Sequence, residues 1–437
     1  MSGRLRVLVP ALLVVLVVVV GALLASGLPL DTGPTASQAA NGSAAASPGT
    51  LPSLEPTIAP TPTPRPATGG TELYGYLPYW QMTSAMATYL RTTPLTTLAL
   101  FSVTARKTGA INTSQIGYKR IVGSIGRQLI RDAHARGARV DLAFSSFGPT
   151  TNARFFGTTS PTATSTPVST PVPSGPVASA RPAPWQRTVD ELVALVVELG
   201  VDGINVDIEA LDPLDRQAYG EFLQALGSAL RAAVPGARLS VATEAGPEGV
   251  AKAQVAFKAG VDRLFLMGYD YHWSGSQPGA TSPVDRTDGD YTLRWSIDQY
   301  VEAGVPRDRI LLGLPLYGMQ WRTAFPDRTS PVIGRGIPWI PKQHVDELAA
   351  PGFVLSHDEL EHVEYFAVPD GAEFLLTYFD SPATLRLKLA LALDNGLAGA
   401  GFWAMGYERG APGYLELMQA FRDGTITREE SPPRPVP

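Results

Sequence analysis

The amino-acid sequence predicts an α/β protein whose main domain is a parallel (β/α)8 TIM barrel, with a small α+β insertion between the seventh strand and the helix after it. Three observations predict this fold class. Eight strand-like runs alternate with helical patterns, as they do in parallel α/β sheets. Several helical patterns end in glycine, which suits a helix C-terminus. No phosphate-binding glycine-rich turn follows the first strand, which counts against the alternative, an open doubly wound sheet.

The predicted strands are largely apolar runs with many β-branched and aromatic side chains. They begin at Glu72, Thr96, Ala138, Val201, Ala237, Asp262, Arg309 and Leu397. The helical patterns cover residues 120–137, 188–200, 219–234, 293–304, 384–396 and 414–424. Residues 319–380 form a connection too long for a bare loop, and their VEYFAVPDGAEFLLTYF stretch indicates a hairpin around a PDG turn. We therefore expect the insertion there, as one wall of a cleft.

The N-terminus is predicted to direct the chain to or across a membrane. Arg4 and Arg6 precede an uncharged apolar run from Val7 to Leu24. That run is about long enough to span a bilayer and exceeds a typical signal-peptide core. We therefore expect residues 1–30 to be a membrane anchor, with a cleaved signal peptide as the alternative. In either case the bulk of the protein is expected outside the cytoplasmic membrane, anchored or secreted.

Three other stretches have a composition that disfavours folding. Residues 31–70 are rich in Pro, Ser, Thr, Ala and Gly and are predicted to be a disordered linker. Residues 158–184 have a similar composition but lie inside the barrel domain of residues 71–425, which indicates a low-complexity loop insertion. The polar residues 426–437 are predicted to be a disordered tail.

Composition excludes several classes of function. The 437-residue chain has a net charge of −5 and no basic block after the N-terminus, so we expect no nucleic-acid partner. It has no cysteine, which excludes disulfides and thiolate chemistry. Its five histidines show no metal-binding spacing. We therefore expect no metal or cofactor. We also expect the protein to be a monomer.

The stretch VDGINVDIEA, residues 201–210, concentrates polar groups on one face of a predicted strand. Asn205, Asp207 and Glu209 alternate with apolar residues. In a barrel the apolar side chains suit the helix-covered face, so the polar ones would point into the interior. Burying them is costly unless they bond to one another or to a ligand. Glu209 is at the C-terminal end of the strand, where barrel active sites lie.

This stretch and four others resemble glycoside hydrolase family 18, the chitinase-like barrels. DGINVDIE is similar to the DGxDxDxE signature of that family. SFG at 146–148 resembles its SxGG motif, with Pro149 in place of the second glycine. MGYD at 267–270, GLPLYG at 313–318 and GAGFWAMGY at 399–407 are typical of the sixth, seventh and eighth strands. The motifs occur in family order, each on its own strand, and the resemblance covers residues 72–424.

The sequence departs from the signature at Asn205, where the family has its second aspartate. DGxNxDxE resembles the YaaH-like branch of spore-cortex and cell-wall N-acetylglucosaminidases. The replaced aspartate is not the proton donor of the family, so the departure does not argue against activity. The resemblance implies a substrate nearer to peptidoglycan glycan or short N-acetylglucosamine chains than to crystalline chitin.

The resemblance implies roles for individual residues. Glu209 would be the general acid and base of a retaining hydrolase, while Asp207 and Tyr269 would orient the 2-acetamido group of the substrate. The implied substrate-binding residues are Asn205, Met267, Asp270, Trp403 and Tyr76. For Trp80, Tyr317, Trp321 and His272 the sequence leaves open whether they line the cleft or pack elsewhere.

The resemblance leaves a second class of function open. A non-catalytic, lectin-like member of the same barrel family would bind glycan at the cell envelope, although such proteins usually lose the glutamate that Glu209 represents here. Within the enzyme reading, chitin and peptidoglycan oligomers stay alternatives, as do exo and endo action.

Overall fold

The computed structural model describes residues 71–158, 182–286, 289 and 291–434. Within them eight parallel strands close into a barrel in the order β1-β13-β7-β6-β5-β4-β3-β2. The barrel strands are β1 (Glu72–Pro78), β2 (Thr97–Val103), β3 (Arg139–Phe147), β4 (Gly203–Glu209), β5 (Arg238–Glu244), β6 (Arg263–Met267), β7 (Ile310–Pro315) and β13 (Gly399–Trp403). The predicted fold class is thereby confirmed.

Helices follow the strands and cover the outside of the barrel. They are α1 (Ser84–Leu90), α2 (Ile116–Val122), α3 (Ser124–Ala135), α4 (Pro149–Phe156), α5 (Pro184–Leu199), α6 (Arg216–Ala233), α7 (Pro247–Lys258), α8 (Leu293–Glu302), α9 (Val345–Leu348), α10 (Pro382–Asp394) and α11 (Tyr414–Arg422). The single predicted helix at 120–137 is two helices, because Gly123 adopts an extended conformation between them. Helices α1, α4, α7 and α9 were not among the predicted helical patterns.

The predicted insertion between β7 and α10 is confirmed as a second, five-stranded sheet. Its order is β10-β11-β12-β8-β9, and its pairs are antiparallel. The strands are β8 (Gly318–Thr323), β9 (Ile337–Trp339), β10 (Ser356–Asp358), β11 (Val363–Asp370) and β12 (Glu373–Phe379). The predicted hairpin is β11–β12, which turns at Asp370.

Aromatic side chains fill the barrel interior. The rings of Tyr74 and Tyr76 on β1 contact Phe265 on β6 with centroids 5.6 and 4.8 Å apart. Gly313 and Gly401 make room for Phe265, because a Cβ at either position would lie 2.3 and 2.6 Å from its ring. Large rings packed against glycine therefore close the centre of the barrel.

Several sequence predictions fall on the edges of the described chain. The predicted anchor and linker (1–70) and most of the low-complexity segment (159–181) lie outside the described residues. Where the structure describes the chain, it has no helix long and apolar enough to cross a membrane.

The prediction that residues 426–437 form a disordered tail is wrong for 426–434, which pack on the barrel. Ile426 is buried, Glu430 pairs with Arg386 of α10, and Arg434 pairs with Asp298 of α8. Charged side chains that the sequence predicted to be solvated form ion pairs with residues of the barrel helices.

Candidate active site

The fourth barrel strand presents its polar face to the interior, as predicted. Ile204, Val206 and Ile208 are buried in the core cluster. Asp207 and Glu209 on the other face belong to the lining of a cavity at the C-terminal end of the barrel. They are 5% and 3% exposed. Successive side chains of a strand point to opposite faces, so the apolar side chains of β4 and its carboxyls lie on different sides of the strand.

The cavity around these carboxyls is narrow, about 40 Å³. Its lining comes from seven barrel strands or the loops that follow them, all except β3. The lining residues are Tyr76, Phe101, Asp207, Glu209, Ala242, Met267, Tyr269, Asp270, Tyr317 and Trp403. Seven of the eight residues that the sequence analysis selected for catalysis or substrate binding therefore meet here.

Burial raises the pKa of both carboxyls of β4 above the ordinary value. Burial raises the pKa of Asp207 to about 7, and Glu244 adds to the shift while Lys252 opposes it. Burial, followed by the charge of Asp207, raises the pKa of Glu209 well above its ordinary value. Among the described residues, Asp207 Oδ1 and Glu209 Oε2 have no hydrogen-bond partner. Buried polar atoms without partners are rare in folded proteins, and these two oxygens belong to residues that line the cavity.

Asn205, predicted to bind substrate, lies outside the cavity lining and is fully buried below it. Its Oδ1 accepts a hydrogen bond of 2.9 Å from the Tyr76 hydroxyl, and its Nδ2 donates one of 2.9 Å to Ser240 Oγ. Ser240 also donates to Asp141, 3.3 Å away. Both polar groups of the Asn205 amide are therefore hydrogen-bonded inside the barrel. Asn205 precedes Asp207 by two residues on β4 and lies nearer to the closed centre of the barrel.

Residues after β6 form one side of the cavity. Burial raises the pKa of Tyr269 well above its ordinary value, so its hydroxyl stays protonated and able to donate a hydrogen bond. Burial raises the pKa of Asp270 to about 6, and the Tyr317 hydroxyl donates to Asp270 Oδ1 over 2.5 Å. Asp270 has a left-handed φ of 61°, a conformation that is uncommon outside glycine.

Aromatic rings form the opposite side. Trp403 at the end of β13 packs edge-on against Phe101, with centroids 4.8 Å apart. Trp80 lies behind both rings, and its Nε1 donates to the Tyr407 hydroxyl over 3.2 Å. Trp80 is therefore a supporting residue and not part of the lining. Phe101 was not predicted, although its inward alternation near the end of β2 was a usable signal.

Two open candidates lie away from the cavity. Trp321 is fully buried on β8 and packs against Tyr378 of the second sheet. His272 is buried in the loop after β6, with Nδ1 2.8 Å from the Gln277 carbonyl oxygen. Neither belongs to the lining. Tyr317 does, through its contact with Asp270.

A second, wider cavity of about 280 Å³ adjoins the first and shares Met267, Tyr269 and Asp270 with it. Glu244, Trp273 and other residues of the loops after β5 and β6 complete its lining. Aromatic and charged groups around a cleft of this kind suit an extended polar ligand that continues from the narrow cavity.

Comparison with protein families identifies the class to which this fold and site belong. The family model described as "Glycosyl hydrolases family 18" matches residues 176–408, more than half of the chain. The chain therefore belongs to glycosyl hydrolase family 18, which confirms the predicted family.

Individual relatives add detail. The chain is 24% identical over 233 residues to the "Cortical fragment-lytic enzyme" of Bacillus anthracis, a match that covers 50% of each protein. It is 29% identical over 244 residues to "Chitinase 1" of Aphanocladium album, covering 52% of this chain and 57% of that one. The first match confirms the predicted resemblance to the spore-cortex branch. The chain spans about half the length of the curated relatives it matches.

A solved structure agrees with the fold. The "novel glycoside hydrolase family 18 N-acetylglucosaminidase" of Paenibacillus barengoltzii superposes with a TM-score of 0.62 at 18% identity, covering 81% of this chain and 100% of the other. At this identity the likeness supports the barrel architecture.

Proposed function

We propose that the protein is a retaining glycoside hydrolase that cleaves β-1,4-linked N-acetylglucosamine glycans, with Glu209 as general acid and base. One observation carries the proposal. Asp207 and Glu209 are buried side by side at the C-terminal end of the barrel, and each has one carboxyl oxygen without a hydrogen-bond partner among the described residues. A fold that needed only stability would avoid such a pair.

The two carboxyls lie two residues apart on one strand. They cannot flank a sugar from opposite faces, as the acid and nucleophile of most retaining glycosidases do. The nucleophile is therefore assigned to the substrate: its 2-acetamido oxygen attacks the anomeric carbon while the bond to the leaving sugar breaks. Glu209 gives its proton to the leaving oxygen, and the sugar becomes an oxazolinium ion. Water then attacks the anomeric carbon, returns a proton to Glu209 and releases the acetamido oxygen.

The surrounding groups support this sequence of steps. The raised pKa of Glu209 keeps a proton available near neutral pH. Asp207 and the Tyr269 hydroxyl are assigned to the acetamido nitrogen and carbonyl. Trp403 offers an apolar face to the sugar, since it lines the same cavity as both carboxyls.

The relatives guide the choice of substrate and place of action. Names such as "Cortical fragment-lytic enzyme" and "Chitinase 1" belong to enzymes for wall or chitin polymers. We extend this to the present chain as action on peptidoglycan or chitin-type oligomers outside the cytoplasmic membrane, in agreement with the predicted N-terminal anchor or signal.

Product analysis tests the proposal. The full chain and its Glu209→Gln variant are incubated with purified peptidoglycan and with N-acetylglucosamine oligomers, and the products are identified by mass spectrometry. We expect wild type to release N-acetylglucosamine-ended fragments and the variant to retain less than about 1% of that activity while still binding oligomers. Binding without cleavage by either protein would replace the hydrolase with a lectin-like function. Substantial turnover by the variant would remove Glu209 from its assigned role.

A further inference from the structure

A lysine is buried directly behind the catalytic strand, in a helix that the sequence analysis did not predict. Lys252 of α7 is 2% exposed. Its Nζ donates to the main-chain oxygen of Ile208 over 2.5 Å and lies 2.7 Å from Glu244 Oε2. Ile208 is the residue between Asp207 and Glu209, so the ammonium bonds the backbone that carries both carboxyls.

A charged side chain is energetically unfavourable at this buried position. An ammonium removed from water is destabilising unless a partner and hydrogen bonds compensate it, and an apolar residue usually gives equal or better stability. Packing alone gives no reason for a lysine at this point of a helix. Glu244, the partner, ends β5 and lines the second cavity.

We propose that Lys252 is a positioning residue of the active site, which holds the end of β4 through Ile208 and, together with Glu244, sets the charge beside Asp207 and Glu209. The inference rests on the proposed hydrolase function. Lys252 contacts no substrate in this scheme, since its ammonium is occupied by Ile208 and Glu244.

The groups that face the carboxyl pair come from several elements. They are Tyr76 of β1 with Asp141 of β3 beyond it, Tyr219 of α6, Glu244 of β5, Lys252 of α7, and Tyr269 and Asp270 after β6. Lys252 is the cation of this set. It lowers the pKa of both Asp207 and Glu209, whereas Glu244 raises both. The two members of the ion pair therefore act on the carboxyls in opposite directions.

The opposite effects of Lys252 and Glu244 on the carboxyl pKa values allow an experiment to distinguish a positioning role from simple structural support. The active form of the enzyme carries one proton on the carboxyl pair, so kcat/KM plotted against pH should be bell-shaped, with limbs that belong to the pair. Lys252→Met removes the cation, and both limbs should move to higher pH by about one unit. Glu244→Gln removes the anion, and both limbs should move to lower pH. In the double variant the two shifts should largely cancel.

The experiment measures kcat/KM for N-acetylglucosamine oligomers from pH 4 to 10 with the full chain and these three variants, with circular dichroism as a check of folding. Lys252→Gln is added because its amide still donates to Ile208. It should show the same shift as Lys252→Met with a smaller loss of kcat. If Lys252→Met does not fold, the pH profiles of kcat/KM for Glu244→Gln and Lys252→Gln test the inference.

Opposite shifts with partial cancellation support the inference. Folded variants whose profiles all stay within about 0.3 pH unit of wild type, or all move in one direction, overturn it. Absence of turnover in wild type would count against the proposed function instead. In that case the same shifts are read from the ¹³C resonance of the Asp207 carboxyl in aspartate-labelled protein, assigned with Asp207→Asn.

Discussion

Asp207 and Glu209 are held at a cost to the stability of the fold. In the unfolded chain both ionise near pH 4, whereas burial raises the pKa of each in the folded protein. Ionisation therefore favours the unfolded chain above about pH 4. The penalty is absent below that pH and grows until the pH passes the folded pKa values.

We therefore expect Asp207→Asn and Glu209→Gln to raise the free energy of unfolding at pH 8, each by about 1–3 kcal/mol, and to change it little at pH 4. Thermal unfolding at the two pH values measures this difference. Asp190→Asn, at an exposed position of α5, is the matched control and should change neither. Lower stability of both amide variants at pH 8 would contradict the expectation.

Asn205 provides a second prediction at this scale. Its amide donates to Ser240 and accepts from Tyr76, so the same side chain satisfies both neighbours. Asn205→Asp restores the aspartate of the family signature but adds a carboxyl near Asp207 and near Asp141, whose pKa burial already raises to about 6. We expect a loss of stability of about 2 kcal/mol at pH 8 that is recovered at low pH. Chemical denaturation at both pH values measures it, and equal losses at the two pH values would refute the electrostatic cause.

Residues differ in how far the sequence could identify them. Asp207 and Glu209 were predictable because they share one strand face and their spacing is written in the chain. Asp141, Ser240 and Lys252 were not, since they lie on other elements: Asp141 and Ser240 on the strands paired with β4, and Lys252 on helix α7. Lysine is also usually exposed in folded proteins, so the sequence does not indicate that Lys252 is buried.

Among the elements, the low-complexity segment can be tested directly. A Cβ at Gly157, before the segment, would lie 3.4 Å from Cβ of Ala183 after it, so the chain leaves and returns at one place. The helices on either side, α4 and α5, bury apolar side chains in the same core cluster as the barrel strands.

Replacement of residues 159–181 by a four-residue Gly-Ser linker should therefore leave the thermal unfolding midpoint within about 2 °C of wild type, because closing a shorter loop costs no more entropy. Differential scanning calorimetry measures it. Deletion of residues from within the 16-residue helix α5 is the control and should abolish folding. A large fall in the midpoint of the linker variant would show that the segment contributes to the core.

Predicted strands were more accurate than predicted helices. All eight barrel strands begin within two residues of the predicted positions, because buried parallel strands are continuous apolar runs. Helix α7 was missed for a physical reason. Its sequence, PEGVAKAQVAFK, is rich in small residues and buries a lysine, which obscures the apolar face that identifies a helix.

For the molecule as a whole, the second sheet must be attached to the barrel if it is to form a wall of the cleft. Glu361, fully buried before β11, makes part of this attachment. It accepts hydrogen bonds from the Ala280 N–H over 2.9 Å and from Arg328 over 2.8 Å. Ala280 belongs to the loop after β6, the same loop that supplies Tyr269 and Trp273 to the cavities.

We expect Glu361→Ala to lower the free energy of unfolding by about 3 kcal/mol and to raise KM for oligomers more than it lowers kcat, because the loop loses its attachment while the carboxyl pair stays in place. Urea denaturation and steady-state kinetics measure the two effects. Glu359→Ala, whose side chain is 90% exposed, is the control. Unchanged KM together with reduced stability would limit Glu361 to a role in folding.

The chain enters the barrel at the pole opposite the cavity. The Thr71 carbonyl accepts a hydrogen bond from Arg422 of α11, and β1 then runs from Glu72 toward Tyr76 in the cavity lining. A tether attached before residue 71 would therefore join the barrel at the end opposite the cavity. If residues 1–30 hold the protein in a membrane as predicted, the point of attachment lies at the end of the barrel away from the mouth of the cavity, so the linker leaves that mouth open to polymer.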